Sequence, residues 1–426
     1  MIKKILKNAT MKNASWLIMG RIAQMAISLL VGILTARYLG PSGYGLINYA
    51  TAYTSFFMSF CTLGINSVLV KEFIDYPDEE GSVIGTSLVL RGVSSLLSAG
   101  IIVCLVSIVD AGEPTAIAVT ALCSVGLVFH IFETFHYWFQ SKLQSKVTAI
   151  TTLIAYAITS VYKIVLLILG KSVEWFAFST VLDYICVGVL LLVCYGKYGG
   201  KRLSFSLAVG KRILGRSAYF ILPSLMVSIY GYADKFMLKH FLSEADVGYY
   251  STAATICGMW CFVLSAIIDS VYPSIMEAHK TDARLFEKRN RQLYAAVFYI
   301  SVTVSLGICL LAKPIVLILY GSSYLQTIAP LRVITWYTAF SYLGVARNAW
   351  IVSENKGKHL KYIYVSAAVC NVALNIVFIP LWGATGAAAA SLITQVLTTF
   401  VVPFFIKDLR RNSQLMLEAV LLIDIK

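Results

Sequence analysis

The chain is 426 residues long, 58% hydrophobic and only 13% charged, with a mean hydropathy of +0.78. A soluble chain of this length needs roughly twice that charged fraction to cover its surface, so the composition excludes a water-soluble globular protein and points to lipid as the main solvent. The net charge of +14 does not imply nucleic-acid binding, because the basic residues gather on one side of a membrane.

Lys3, Lys4, Lys7 and Lys12 precede an apolar run from Ala14 to Tyr38. The run is too long for a signal-peptide core and is closed by no small-residue cleavage site, so it reads as an uncleaved first span with a cytoplasmic N-terminus. A spanning helix needs about 20 largely apolar residues, because unsatisfied backbone groups are costly in hydrocarbon. Further spans are expected at 45–70, 82–109, 115–138, 147–169, 173–195, 214–238, 247–275, 292–312, 328–352, 360–381 and 384–406. Pro314–Thr327 is expected as a helix end with an interfacial turn. The run Leu415–Ile425 is too short to span. Twelve spans place about 25 of the 35 lysines and arginines on one side and about 3 on the other. Tyr195–Arg216, Met276–Gln292, Ser353–Lys361 and the tail with Lys407, Arg410 and Arg411 all fall on the basic side. That asymmetry predicts a multi-pass protein of the bacterial cytoplasmic membrane, both termini cytoplasmic and the basic face against anionic lipid.

The nine cysteines sit in apolar runs without zinc-type spacing, and serve as small packing residues. Aromatic clusters such as His136-Tyr137-Trp138-Phe139 and Trp336-Tyr337 are expected in the interfacial belts.

The chain repeats itself at a shift of about 203 residues. Leu39-Gly40-Pro41-Ser42-Gly43-Tyr44-Gly45 lies over Leu242-Ser243-Glu244-Ala245-Asp246-Val247-Gly248, each a turn between two apolar helices. The expected architecture is therefore an all-α integral membrane protein of two six-helix lobes, 1–205 and 206–426. An even number of spans between the copies implies a pseudo-twofold axis along the membrane normal.

No catalytic motif is present: no HExxH, GxSxG or phosphate-binding GxxxxGK[ST]. His130, Glu133 and His136 lie near one helix face, but no further ligand joins them, so no metal is expected. The chemistry lies in charges inside apolar runs, which cost at least ~2.5–3.5 kcal/mol at mid-bilayer and therefore face a partner or a wet cavity. Arg21, Arg91, Lys163, Lys235, Arg332 and Arg347 are the candidate cavity cations, suited to an anionic headgroup. Glu133, Asp183, Asp234 and Asp269 are the acids that could carry a coupling proton or sodium ion. Arg91 and Lys163 also have a structural alternative, as ion pairs with Glu133 or Asp183.

Three stretches carry a family resemblance that covers nearly the whole chain. Asn13-Ala14-Ser15-Trp16 through Arg21 to Ala36-Arg37-Tyr38 and the Leu39–Gly45 turn resembles the opening of bacterial polysaccharide flippases of the Wzx type. These belong to the MOP superfamily, with the MATE multidrug exporters and lipid II flippases. Ala233-Asp234-Lys235-Phe236-Met237-Leu238, leading to Val247-Gly248-Tyr249-Tyr250, resembles the seventh helix and turn of that family. Asn371, Asn375, Ile379-Pro380, Gly383 and Gly386-Ala387 resemble the end of its eleventh helix. The resemblance implies a MATE-like fold and alternating-access flipping of an undecaprenyl-diphosphate-linked oligosaccharide from the cytoplasmic to the outer leaflet, ion-coupled, for O-antigen or capsule assembly. It implies no cofactor, and a polysaccharide polymerase as a further partner. Many relatives carry thirteenth and fourteenth spans, and the Leu415–Ile425 run is either an interfacial helix or a truncated continuation, which leaves twelve or fourteen spans open. The alternatives are a MATE-like exporter of cationic drugs, which should be richer in acids than in embedded cations, and a lipid II-type flippase. A cell-envelope polymerase or ligase lacks its usual large loop here, and a scaffold leaves the deep polar residues without a role.

Overall fold

A computed structural model describes residues 9–423, with side chains described at Gly20 and from Ala23 onward. The N-terminal lysines and the Arg21 side chain lie outside the described residues. Among these residues there is no strand. Nine helical runs are long and apolar enough to cross a membrane, and two of them, Ala23–Asp75 (53 residues) and Gly357–Phe405 (49 residues), are of double length.

The chain packs as two compact units, one made of residues up to 39 with 46–228, the other of 40–45 with 229–426. α1 (Ala9–Thr62), which belongs to the first unit except for 40–45, is broken at Gly40, whose φ of 69° suits glycine and whose neighbour Pro41 restarts the helix. α2 (Asn66–Asp75), α3 (Glu80–Val109), α4 (Pro114–Phe129), α5 (Thr134–Ser141), α6 (Ser145–Ile168) and α7 (Val173–Lys197) follow. α8 (Leu207–Phe241) carries the chain from the first unit into the second. α4 packs against α3 and α7, and α6 against α7. The expected span 115–138 is divided between α4 and α5 by a tighter turn at His130–Glu133. Phe135, Trp138 and Phe139 are buried with Ile65, Leu69 and Leu191 in the core of this unit. The first expected aromatic belt is thus partly core, because α5 turns these rings inward onto α2.

The link between the repeats is tied to α3. Ser204 N–H donates to the Gly81 carbonyl at 3.2 Å and Ser206 N–H to Thr86 Oγ1 at 2.9 Å. Cβ atoms on Gly81 and Gly85 would lie 2.1 and 2.3 Å from the carbonyl oxygens of Arg202 and Ser204. Two arginines counted in the basic loop are committed to an acid: Glu72, fully buried, accepts from Arg212 Nε at 3.0 Å and from Arg216. Arg212 also lies over the Tyr76 ring at 3.7 Å.

The second unit contains α9 (Glu244–Gly258), α10 (Cys261–Thr281), α11 (Ala283–Leu310), α12 (Ala312–Leu319), α13 (Ile328–Ile334), α14 (Tyr337–Ser353), α15 (Leu360–Val396), α16 (Val402–Phe405) and α17 (Arg410–Val420). The expected spans 247–275 and 328–352 each appear as two helices, α9 with α10 and α13 with α14. α15 turns at Gly383 (φ 59°), three residues after Pro380 removes a helical N–H. Pro314–Thr327 forms a short helix end and a tight turn, as expected. α11 packs against α10, α14 and α17. In α17, Leu415 and Met416 are buried beside Leu293 and Tyr294, while Arg411 pairs with Glu287 and Glu418. The tail is an amphipathic helix docked on α11.

The repeat copies touch inside the second unit. A Cβ on Gly45 would lie 1.8 Å from the Glu244 carbonyl oxygen, and one on Gly248 2.1 Å from that of Pro41. Only glycine permits backbones this close. Gly45 matches Gly248 in the repeat and Pro41 matches Glu244, so the two contacts exchange equivalent positions.

Candidate functional site

In the first unit, Arg91 sits on α3 beside the break between α4 and α5. It is 1% exposed. Nη1 donates to Thr134 Oγ1 at 3.1 Å, and Nη2 reaches the His130 carbonyl at 3.2 Å and Glu133 Oε2 at 3.3 Å. The same Glu133 oxygen accepts from Asn66 Nδ2 at 3.1 Å. A guanidinium presents five donors in a fixed fork, and here they bridge α3 to the broken turn, satisfying a carbonyl that the helix leaves open. Lys163 on α6 and Asp183 on α7 are electrostatic partners, and Thr159 Oγ1 contacts the carboxylate at 3.5 Å. Four of the sequence candidates thus meet as two opposite-charge pairs.

In the second unit the central group is Asp234 on α8, 3% exposed. Its Oδ1 accepts from Asn375 Nδ2 at 2.5 Å; Oδ2 accepts from Ser391 Oγ at 2.6 Å and from the Tyr250 hydroxyl. Asn375 Nδ2 also contacts Asn371 Oδ1 at 3.1 Å. Four helical stretches converge: α8, α9 and both arms of α15. Neutral hydroxyls and amides surround the carboxylate. Each of these groups can present either a hydrogen or an oxygen lone pair, so the same shell can hold a bare carboxylate, a protonated one or a small cation. Asn375 Oδ1 is buried without a partner, which marks the shell as incomplete.

Of the remaining candidates, Lys235 interacts electrostatically with Asp234. Lys235 is half-buried beside Asp234 on α8, Arg332 on α13 and Asp269 on α10 are exposed, and Arg347 on α14 is buried. Arg347 Nη1 donates to the Thr398 carbonyl at 3.2 Å. The shell residues Tyr250, Asn371, Asn375 and Ser391 were not site candidates from sequence. Their signal is the i,i+4 pairing of Asn371 with Asn375 in an otherwise apolar helix.

Residues 10–279 match the family described as polysaccharide biosynthesis protein. The chain belongs to the polysaccharide biosynthesis protein family. Across nearly its full length this family member is similar to the capsular polysaccharide biosynthesis protein CapF of Staphylococcus aureus, with 20% identity over 412 residues, 93% of this chain and 99% of CapF. The lipid II flippase MurJ in an inward closed conformation superposes with a TM-score of 0.72 at 15% identity, over 95% of this chain and 91% of MurJ. An inward-facing MATE multidrug transporter of the MOP superfamily gives a TM-score of 0.68 at 18% identity, over 92% and 95% of the two chains. The fold of this polysaccharide biosynthesis protein is therefore that of the MATE and MurJ structures, and it is a multi-pass membrane protein.

Proposed function

We propose that this protein is a flippase and not an enzyme. It moves an undecaprenyl-diphosphate-linked oligosaccharide from the cytoplasmic to the outer leaflet of the bacterial cytoplasmic membrane, by alternating access between lobes related by a pseudo-twofold axis. The observation that carries this is membership of the polysaccharide biosynthesis family on a transporter fold, with similarity to a capsular biosynthesis protein along the whole chain. A sugar diphosphate is an anion with a polar head, and the intramembrane cations Arg21, Arg91, Lys163, Lys235, Arg332 and Arg347 favour such cargo over a cationic drug. Of these, the exposed Arg332 and half-buried Lys235 are best placed to touch it. Arg91 acts through its packing.

Flipping is coupled to a proton or sodium ion at Asp234. A buried carboxylate in a shell of amphoteric groups changes its occupant without rebuilding the shell, so its occupancy can bias the two access states. Glu133, whose carboxylate is ion-paired with Arg91, and Asp183 are weaker candidates, and the exposed Asp269 is weaker still. Both termini face the cytoplasm, the basic face contacts anionic lipid, and the polysaccharide polymerase is the partner that receives the product.

The test is flipping of a fluorescent undecaprenyl-diphosphate oligosaccharide in proteoliposomes, with and without an imposed proton or sodium gradient. Saturable, protein-dependent exposure of the lipid-linked sugar supports the proposal. Expulsion of a cationic dye with the lipid left in place overturns it. Topology reporters fused after Lys201 and after Lys358 should both read as cytoplasmic.

A further inference from the structure

One helical turn from Asp234 lies a second polar layer with no role so far. Tyr230 precedes Asp234 by four residues on α8, and Gln395 follows Ser391 by four on α15, so the same two helices that hold Asp234 also hold this layer. The Tyr230 hydroxyl lies 2.6 Å from Gln395 Oε1 and 2.9 Å from the Tyr337 hydroxyl at the start of α14. A hydroxyl has one hydrogen and two lone pairs, so Tyr230 can give its hydrogen to only one of these two oxygens at a time. Gln395 Nε2 then reaches Thr399 Oγ1 at 3.3 Å, and Thr399 Oγ1 donates to the Phe340 carbonyl at 3.1 Å.

Beyond this layer the helix widens into a π-turn at Leu397–Val401. Pro403 has no N–H for the Thr399 carbonyl, and Arg347 takes the Thr398 carbonyl, so regular pairing fails there. A Cβ on Gly344 would lie 3.5 Å from Gln395 Nε2, 3.8 Å from Thr399 Oγ1 and 4.0 Å from Arg347 Nη2. A fixed guanidinium therefore stands immediately past the layer, on the side away from Asp234, and a cation is repelled from going further.

Three facts give the layer a direction. Tyr230, Tyr337 and Gln395 are half-buried while Asp234 is buried, so the layer is the part of the polar system nearer the surface of its unit. Thr394 Oγ1, between Ser391 and Gln395 in sequence, is buried without a partner, as is Asn375 Oδ1 on the Asp234 side. Unpaired buried oxygens of this kind are sites for water or a small cation.

We propose that Tyr230, Tyr337 and Gln395 form the access rung of the coupling site, positioning residues through which a proton or sodium ion passes between the surface of the second unit and Asp234. Gln395 Oε1 and the two tyrosine oxygens supply the transient contacts, and Arg347 closes the far side to cations. The inference rests on Asp234 being the coupling site.

The experiment uses the full chain in proteoliposomes with the fluorescent undecaprenyl-diphosphate oligosaccharide, scanning either the proton or the sodium gradient. Gln395→Leu and Tyr230→Phe should each raise the cation activity needed for half-maximal stimulation by about tenfold, the effect of an entry barrier raised by roughly 1.4 kcal/mol. Maximal stimulation and gradient-independent flipping should be kept, and that flipping also reports that the variants are folded. Gln395→Glu should restore the response, since it keeps an oxygen at Oε1. Asp234→Asn should abolish stimulation at every cation activity. Loss of stimulation in Asp234→Asn with an unshifted midpoint in both rung variants overturns the access rung. Complete loss in the rung variants also overturns it, by making them ligands of the site itself. Retained stimulation in Asp234→Asn overturns the coupling site on which the rung depends. Whichever gradient produces the response names the ion.

Discussion

Each unit of the molecule buries a charge, and the two are held in opposite ways. Arg91 in the first unit meets the carboxylate of Glu133 and a carbonyl left open by a broken helix. Asp234 in the second takes its hydrogen bonds from Tyr250, Ser391 and Asn375, all neutral, with Lys235 as an electrostatic neighbour on the same helix. An opposite-charge pair in low dielectric is costly to separate. A carboxylate ringed by groups that can reverse their hydrogen bonds loses little when its occupant changes. The first arrangement is suited to holding three helices in one geometry, and the second to exchanging an ion. Sequence position alone does not separate the two residues, since both are charges in apolar helices.

That contrast breaks or sharpens on measurement. The largest effect is expected for Arg91→Ala, which should cost about 3–5 kcal/mol by leaving Glu133 and the His130 carbonyl without their cation. Thermal unfolding in detergent measures it, and adding Glu133→Gln should recover part of the loss. Stability equal to the parent protein would remove the structural role given to Arg91. Glu72→Ala is next, at about 1–3 kcal/mol, because Arg212 and Arg216 lose a buried acceptor but retain access to water. Asp234→Asn should change stability by no more than about 1 kcal/mol, since an amide fits the same shell, while the gradient response of flipping disappears. A large drop in stability there would place Asp234 with Arg91 as a structural charge.

The smallest effect concerns Asp408, near the start of the docked tail. His359 at 2.8 Å, and then Lys356, hold its carboxyl below the usual range. A depressed carboxyl contributes stability that is present above its unfolded value, about 3.9, and is lost as pH falls through the lower folded value. Proteolysis of the tail should therefore rise as pH falls below about 4. In Asp408→Asn that acid-dependent step should vanish.

Much of the fold was legible in residues taken alone. The apolar runs located the long helices, and Gly40 with Pro41 and Pro380 with Gly383 marked the two sharp turns within double-length helices. The division of 115–138 at His130–Glu133 was not legible, because its cause is Arg91, distant in sequence. Nor was the burial of Trp138 and Phe139, where an aromatic cluster of belt composition is turned inward. Arg212 and Arg216 looked like loop charge until Glu72 appeared beneath them. Asp234 was legible as a candidate, but its shell was not. Tyr250, Asn375 and Ser391 are ordinary residues of three separate segments, and nothing in their spacing says that they meet.

Hydropathy by itself determined that this chain lives in lipid, about where it crosses, and which residues are too polar for their surroundings, because the cost of placing a charge or an open backbone in hydrocarbon depends on local composition. Which of those polar residues are paired, and which are left with neutral partners, was decided by tertiary packing. A partner more than one helix away is chosen by how helices cross, and that leaves no periodic mark in the sequence.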